Sequence, residues 1–156
     1  MKLTKKDREL LLDIAESAIL NYLDSNYEID ISQEKLSSEI MQETGAFVSV
    51  YIGKSLRGCI GTFSESDPLY ENVKKMAVSA AFTDSRFRPI RKKETDQLLI
   101  EISVLTPRKR IYNPNEIVIG RHGIYIISGT NRGTLLPQVA EKNQWSSLEF
   151  LEYCAH

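Results

Sequence analysis

The chain has 156 residues, a formal net charge of -1, 42% hydrophobic residues and 26% charged residues, the make-up of one ordinary globular domain with a sizeable core. So small a charge argues against a protein that works by neutralising nucleic-acid phosphates, although a local basic patch stays open. Two cysteines cannot form a disulfide scaffold, the polar start Met1-Lys2-Leu3-Thr4-Lys5-Lys6-Asp7 is no secretory signal peptide, and no apolar run approaches the ~18 residues of a membrane span; a reducing cytoplasm is the expected location.

Thr4 followed by Asp7 predicts a helix start, and Leu11, Ile14, Ala18 and Tyr22 recur at helical spacing over 5–24. Residues 25–44 read as a long connection with room for one short helix. From Gly45 onward, Phe47, Ser49 and Tyr51 alternate with Val48, Val50 and Ile52, a strand signal. Gly53-Lys54 reads as a hairpin turn and 56–62 as the return strand. Asp67-Pro68 opens the next helix, with the proline at its first position and Leu69, Val73, Met76 and Ala80 as its buried stripe. An arginine-rich loop follows, then a strand over 98–105. Further strands are predicted at 117–119 and 124–127, separated by Gly120-Arg121-His122-Gly123. Residues 129–133 turn the chain into Thr134-Leu135-Leu136, and helices follow Pro137 and begin near 147. Helices and strands interleave without the regular alternation of a parallel sheet. The expected fold is a single α+β domain with a mainly antiparallel sheet.

The hexapeptide Leu56-Arg57-Gly58-Cys59-Ile60-Gly61 carries the densest chemistry. In a regular strand Arg57 and Cys59 share a face, about 6.6 Å apart along the backbone, with Leu56 and Ile60 on the other. A guanidinium beside a thiol favours the nucleophilic thiolate, whereas a small buried hydrophobe is the other common use of a free cysteine. Gly58 and Gly61 suit a close approach by another backbone or by a ligand. His122 is a candidate partner for Cys59, or a polar residue of an exposed turn. In Asp84-Ser85-Arg86-Phe87-Arg88-Pro89 the guanidinium forks suit a phosphate, a carboxylate or an RNA base, and an Asp84–Arg86 pair that fixes the turn is the alternative. Glu101 and Ser103 share one strand face; if that face lines a cleft with Arg57, the Glu101 carboxylate can pair with it and cancel its effect on Cys59. Gln138 falls in the first turn of a helix, where free N–H groups can receive an anion, and a strand-to-helix junction whose proline simply starts the helix is the favoured alternative. Two cysteines and two histidines are too few for a dedicated zinc site. No three-cysteine motif for an iron–sulfur cluster exists, so no metal or cofactor is assigned.

These blocks, together with Gly45-Ala46-Phe47-Val48, Ala80-Ala81-Phe82-Thr83, Glu101-Ile102-Ser103-Val104-Leu105, Leu135-Leu136-Pro137-Gln138-Val139-Ala140 and Trp145, occur in one order over residues 45–156. Their sequence resembles the AMMECR family, whose bacterial and archaeal members are similar to AmmeMemoRadiSam system protein A. The resemblance implies a curved sheet with packed helices, in an arrangement that allows two related halves. It implies protein partners of the Memo type and the radical SAM type in one modification pathway. It also implies that family members continue beyond Ser147–His156, so that the C-terminal part of the family domain is expected to be missing here. Two functions stay open: a cleft around Cys59 that binds a small anionic or peptide ligand or a protein partner, and an enzyme using Cys59 as a thiol nucleophile or radical or covalent carrier. RNA recognition is a third, weaker option.

Overall fold

The computed structural model describes residues 2–24 and 36–156. The predicted connection therefore lies outside the described residues as far as position 35, and its remainder forms a turn that buries Ile40. The described chain divides into two compact units, Met1–Pro107 and Arg108–His156. Both join helices to antiparallel strands, which makes the fold α+β as expected.

In the first unit, helix α1 spans Lys5–Leu23. Thr4 starts it as predicted: its hydroxyl accepts from Asp7 N while the Asp7 carboxylate accepts from Thr4 N at 2.8 Å, closing a capping box. The buried stripe is Leu11, Ile14, Ala15 and Ile19 rather than the predicted set. Tyr22 is exposed, stacked on Phe82 with ring centroids 4.3 Å apart. Strands β1 (Ala46–Ile52), β2 (Ser55–Thr62) and β3 (Leu98–Val104) form one antiparallel sheet in the order β2-β1-β3. Gly53, at φ +58, opens the two-residue hairpin turn between β1 and β2, where glycine meets no Cβ penalty.

Alternation sorts the side chains of this sheet. Ala46, Val48 and Val50 are fully buried on the face that packs against helix α2 (Leu69–Phe82), on which α1 also lies. Gly58 belongs to this face: a Cβ there would stand 1.8 Å from the Ala80 carbonyl oxygen, so α2 and β2 touch backbone to backbone. Pro68 lies just before α2 with extended ψ, one place earlier than predicted. The buried face of α2 also includes Asn72, whose Nδ2 donates to the carbonyls of Thr44, Ser64 and Asp67.

In the second unit, β4 (Ile124–Ser128) pairs with β5 (Asn131–Leu135). Helices α3 (Pro137–Asn143) and α4 (Ser147–Ala155) follow. Its core is formed by Ile117, Ile124, Ala140, Phe150 and Cys154. The strand predicted at 117–119 does not form. Val118 O accepts instead from the N–H groups of Arg121 and His122, so the β-branched run enters a turn whose local hydrogen bonds replace a ladder. No described helix is long and apolar enough to cross a membrane.

Candidate functional site

The β1–β2 register runs regularly from Ala46↔Thr62 to Val50↔Gly58, then jumps to Tyr51↔Leu56. Arg57 is the extra residue of a β-bulge, which interrupts alternation where the sequence predicts it to continue. Arg57 and Cys59 consequently do not form the same-face pair expected of a regular strand. Leu56, opposite Tyr51, shares the face of Cys59 instead of opposing it.

The Arg57 guanidinium is engaged elsewhere. Its Nη1 donates to Glu94 Oε1 at 2.6 Å and its Nη2 to the Arg88 carbonyl at 3.0 Å. Both side chains of the Arg57–Glu94 pair are mostly shielded, at 19% and 16% exposure. Glu94 also accepts from Arg91 N and Nε. The hydrogen bond from Arg57, seconded by that from the Arg91 backbone, holds the Glu94 carboxyl down at about 2. The sequence reading assigned Arg57 a different acidic neighbour: Glu101 accepts from Tyr51 Oη at 3.3 Å instead. Burial, then the Glu101 charge, pushes the Tyr51 hydroxyl above its ordinary value.

Cys59 is clamped through its backbone. Its N–H donates to Asp84 Oδ2 at 2.9 Å and its carbonyl accepts from Arg86 Nη2 at 2.9 Å. Asp84 and Arg86 are joined by three further bonds, backbone N to Oδ1 at 3.2 Å, Nε to Oδ1 at 2.9 Å and Nη2 to Oδ2 at 2.7 Å. β2 is an edge strand, and this Asp–Arg fork satisfies the outward-facing donor and acceptor of Cys59 as a neighbouring strand would. The hydrogen bond from Arg86, reinforced by the Cys59 and Arg86 backbone N–H groups, holds the buried Asp84 carboxyl far below the usual carboxylate range. Phe87 lies under the Arg86 guanidinium, 5.3 Å from ring centroid to Cζ. Gly61 faces Phe47, whose ring would meet an added Cβ at 2.2 Å.

On the sheet face turned away from α2, Ser49 stands opposite Cys59 on one side and Glu101 on the other. Thiol, hydroxyl and carboxylate thus form one row across three strands, with Ser49 Oγ donating to Cys59 Sγ at 3.2 Å. The neighbouring row is Leu56–Tyr51–Leu99, in which Leu56 is 37% and Leu99 59% exposed. Ser49, Tyr51 and Glu94 are the members that sequence reasoning missed. Alternation already put Ser49 and Tyr51 on one face, but the rows depend on a register that no single strand reveals. Glu94 was signalled only by its spacing of three from Arg91, a capping pattern in a loop.

The remaining candidates lie in the second unit. His122 is exposed in the turn after Val118, and its Nδ1 accepts from Val118 N at 3.2 Å. Gln138 lies at the second position of α3, in the first turn as the sequence predicts, and is exposed. Among the described residues no group of three or more Cys, His, Asp and Glu gathers as a metal site.

Comparison with known proteins places the chain in a family. The AMMECR1 family model matches residues 12–156. Protein MK0488 of Methanopyrus kandleri is 40% identical over 97% of this chain and 77% of its own length. Protein NEQ441 of Nanoarchaeum equitans is 38% identical over 82% of this chain and 73% of its own. The crystal structure of protein PH0010 from Pyrococcus horikoshii superposes with a TM-score of 0.82 at 36% identity, covering 94% of this chain and 76% of that one. The chain belongs to the AMMECR1 family.

Proposed function

We propose that this chain is a binding module whose β1–β2–β3 face, around Tyr51, Cys59 and Glu101, receives a segment of a partner protein. One observation carries the reading. The two arginines that flank Cys59 in space are tied to Glu94 and Asp84, while Leu56, Leu99 and Glu101 stay exposed on the face that Cys59 shares. A small anion finds its natural receptors there already paired, whereas an apolar strip beside a polar row suits a peptide or protein surface. The family resemblance names the first partners to try: Memo-type and radical SAM proteins, in a cytoplasmic modification pathway.

The test is the affinity of the chain for the Memo-type and radical SAM proteins of its own organism, measured by calorimetry. Leu99→Ser is expected to weaken binding about tenfold, the effect of losing an apolar contact of more than 1 kcal/mol at an interface. Cys59→Ala is expected to leave it unchanged. Binding to neither protein, or a loss confined to Cys59→Ala, would reject this reading.

The Ser49 Oγ contact to Cys59 Sγ favours a second reading, in which Cys59 acts as a thiol nucleophile. Iodoacetamide modification of Cys59 at neutral pH, in a Cys154→Ser background, would then slow in Ser49→Ala. An equal rate in the two proteins would leave Cys59 with a packing role.

A further inference from the structure

We infer that the group this face takes is a basic side chain, a lysine or arginine of the partner. The inference rests on the binding reading and adds the chemistry of its ligand. Register fixes which side chains the three strands present on this face: Phe47, Ser49 and Tyr51 from β1, Leu56, Cys59 and Gly61 from β2, and Leu99, Glu101 and Ser103 from β3. None of these is a lysine or arginine, and Glu101 is the one carboxylate. Arg57, the cation that the sequence places closest, sits in the bulge and is held by Glu94, and Arg86, which reaches the Cys59 carbonyl from the flanking loop, is held by Asp84. The face therefore presents one negative charge with no strand cation to answer it, which favours a positive ligand.

The form of the face narrows that ligand further. Glu101 is exposed and held by the Tyr51 hydroxyl at 3.3 Å, so its carboxylate is positioned before anything binds. Two places along β3, about 6.8 Å away, Leu99 stands in the row Leu56–Tyr51–Leu99, whose two leucines are exposed on either side of a half-buried tyrosine. Lysine and arginine join an apolar stem to a charged head. The stem lies on the leucine–tyrosine row and the head reaches Glu101, with the Tyr51 ring beside the path as a cation–π surface. A small metal ion would use only the carboxylate and leave the apolar row bare. An acidic side chain would meet Glu101 with repulsion.

The probes are three acetylated and amidated pentapeptides, Ala-Ala-Xaa-Ala-Ala with lysine, norleucine or glutamate at the centre, titrated into the isotope-labelled chain and followed by amide shifts. The lysine peptide is expected to shift Tyr51, Leu99 and Glu101 saturably. It should bind about two- to fivefold more tightly than the norleucine peptide, the ratio that an exposed ion pair supports. Glu101→Gln keeps an acceptor for Tyr51 and should abolish that ratio. Tyr51→Phe should reduce it while keeping the ring, which a merely structural tyrosine would not do. Leu99→Ser should weaken the lysine and norleucine peptides equally. Tighter binding of the glutamate peptide at the same residues would overturn the basic-ligand inference while leaving the face a binding site. Equal affinities of the lysine and norleucine peptides, or no localised shift with any peptide, would also overturn it. Loss of partner binding in Leu99→Ser is read separately and bears on the binding reading alone.

Discussion

Asp84 receives four hydrogen bonds at 3.2 Å or less, one from Cys59 N and three from Arg86. Its side chain is 3% exposed while that of Arg86 is 60% exposed, so the two members of the pair should not be equivalent. Asp84→Ala leaves the Cys59 and Arg86 backbone donors without their acceptor and is expected to destabilise the chain by about 1–3 kcal/mol. Arg86→Ala removes the side-chain donors to Asp84 and to the Cys59 carbonyl, but it leaves Asp84 with both backbone bonds and opens a largely exposed site that water can fill, so a smaller loss of about 1 kcal/mol is expected. Urea midpoints decide between them, and an Arg86→Ala loss as large as that of Asp84→Ala would contradict the clamp. Glu94 makes a prediction in pH. Its carboxyl is lowered from 4.5 to about 2, so the folded state binds its proton more weakly than the unfolded chain. That contribution is complete above the unfolded value of 4.5 and is lost as pH falls toward 2. Thermal midpoints of Glu94→Gln should therefore fall less steeply than those of the unaltered chain over that window. Parallel slopes would show that the Arg57–Glu94 pair is not linked to folding.

The elements were legible where periodicity and turn chemistry agreed. β1 to β3 and the two-residue turn at Gly53 lie where alternation puts them, to within one residue at each end. The bulge was not legible, because its extra residue is Arg57 rather than a glycine in a left-handed conformation, and one such shift redirects every inference about neighbouring faces. The run 117–119 misled because β-branched residues signal a strand only when a partner completes the ladder. Asn72 was missed because a polar residue within a helix ordinarily faces water, and its partners are carbonyls of Thr44, Ser64 and Asp67. Gly58 was legible as a site of close approach, and the structure supplies the object: the backbone of α2. Gly58→Ala should therefore cost about 3 kcal/mol by forcing α2 away from β2. Gly129 is the control. It has φ +60 with nothing within 4 Å of an added Cβ, so Gly129→Ala carries only the backbone cost of about 1 kcal/mol. Equal urea midpoints for the two variants would refute the backbone contact as the reason for Gly58.

The two units differ in what supports them. In the first, β1 is hydrogen-bonded on both sides and carries Ala46, Val48 and Val50 at 0% exposure beneath α2. In the second, a two-stranded ribbon packs with Ile117, Ile124, Ala140, Phe150 and Cys154. A ribbon of two strands is marginal without a helix against it, and α4 supplies Phe150 and Cys154 to that role. Burial accordingly pushes the Cys154 thiol up. Amide exchange should therefore be slowest at Val48 and Val50 and faster throughout β4 and β5, since opening free energy follows buried contacts. Phe150→Ala sharpens this expectation. Truncating a fully buried phenylalanine costs about 3–5 kcal/mol, a large share of the stability of any domain. The amides of β4 and β5 should lose protection by that amount while those of Val48 and Val50 keep theirs. If protection falls equally in β1, the two units open as one cooperative body, and the division at Pro107 describes packing density without independent stability.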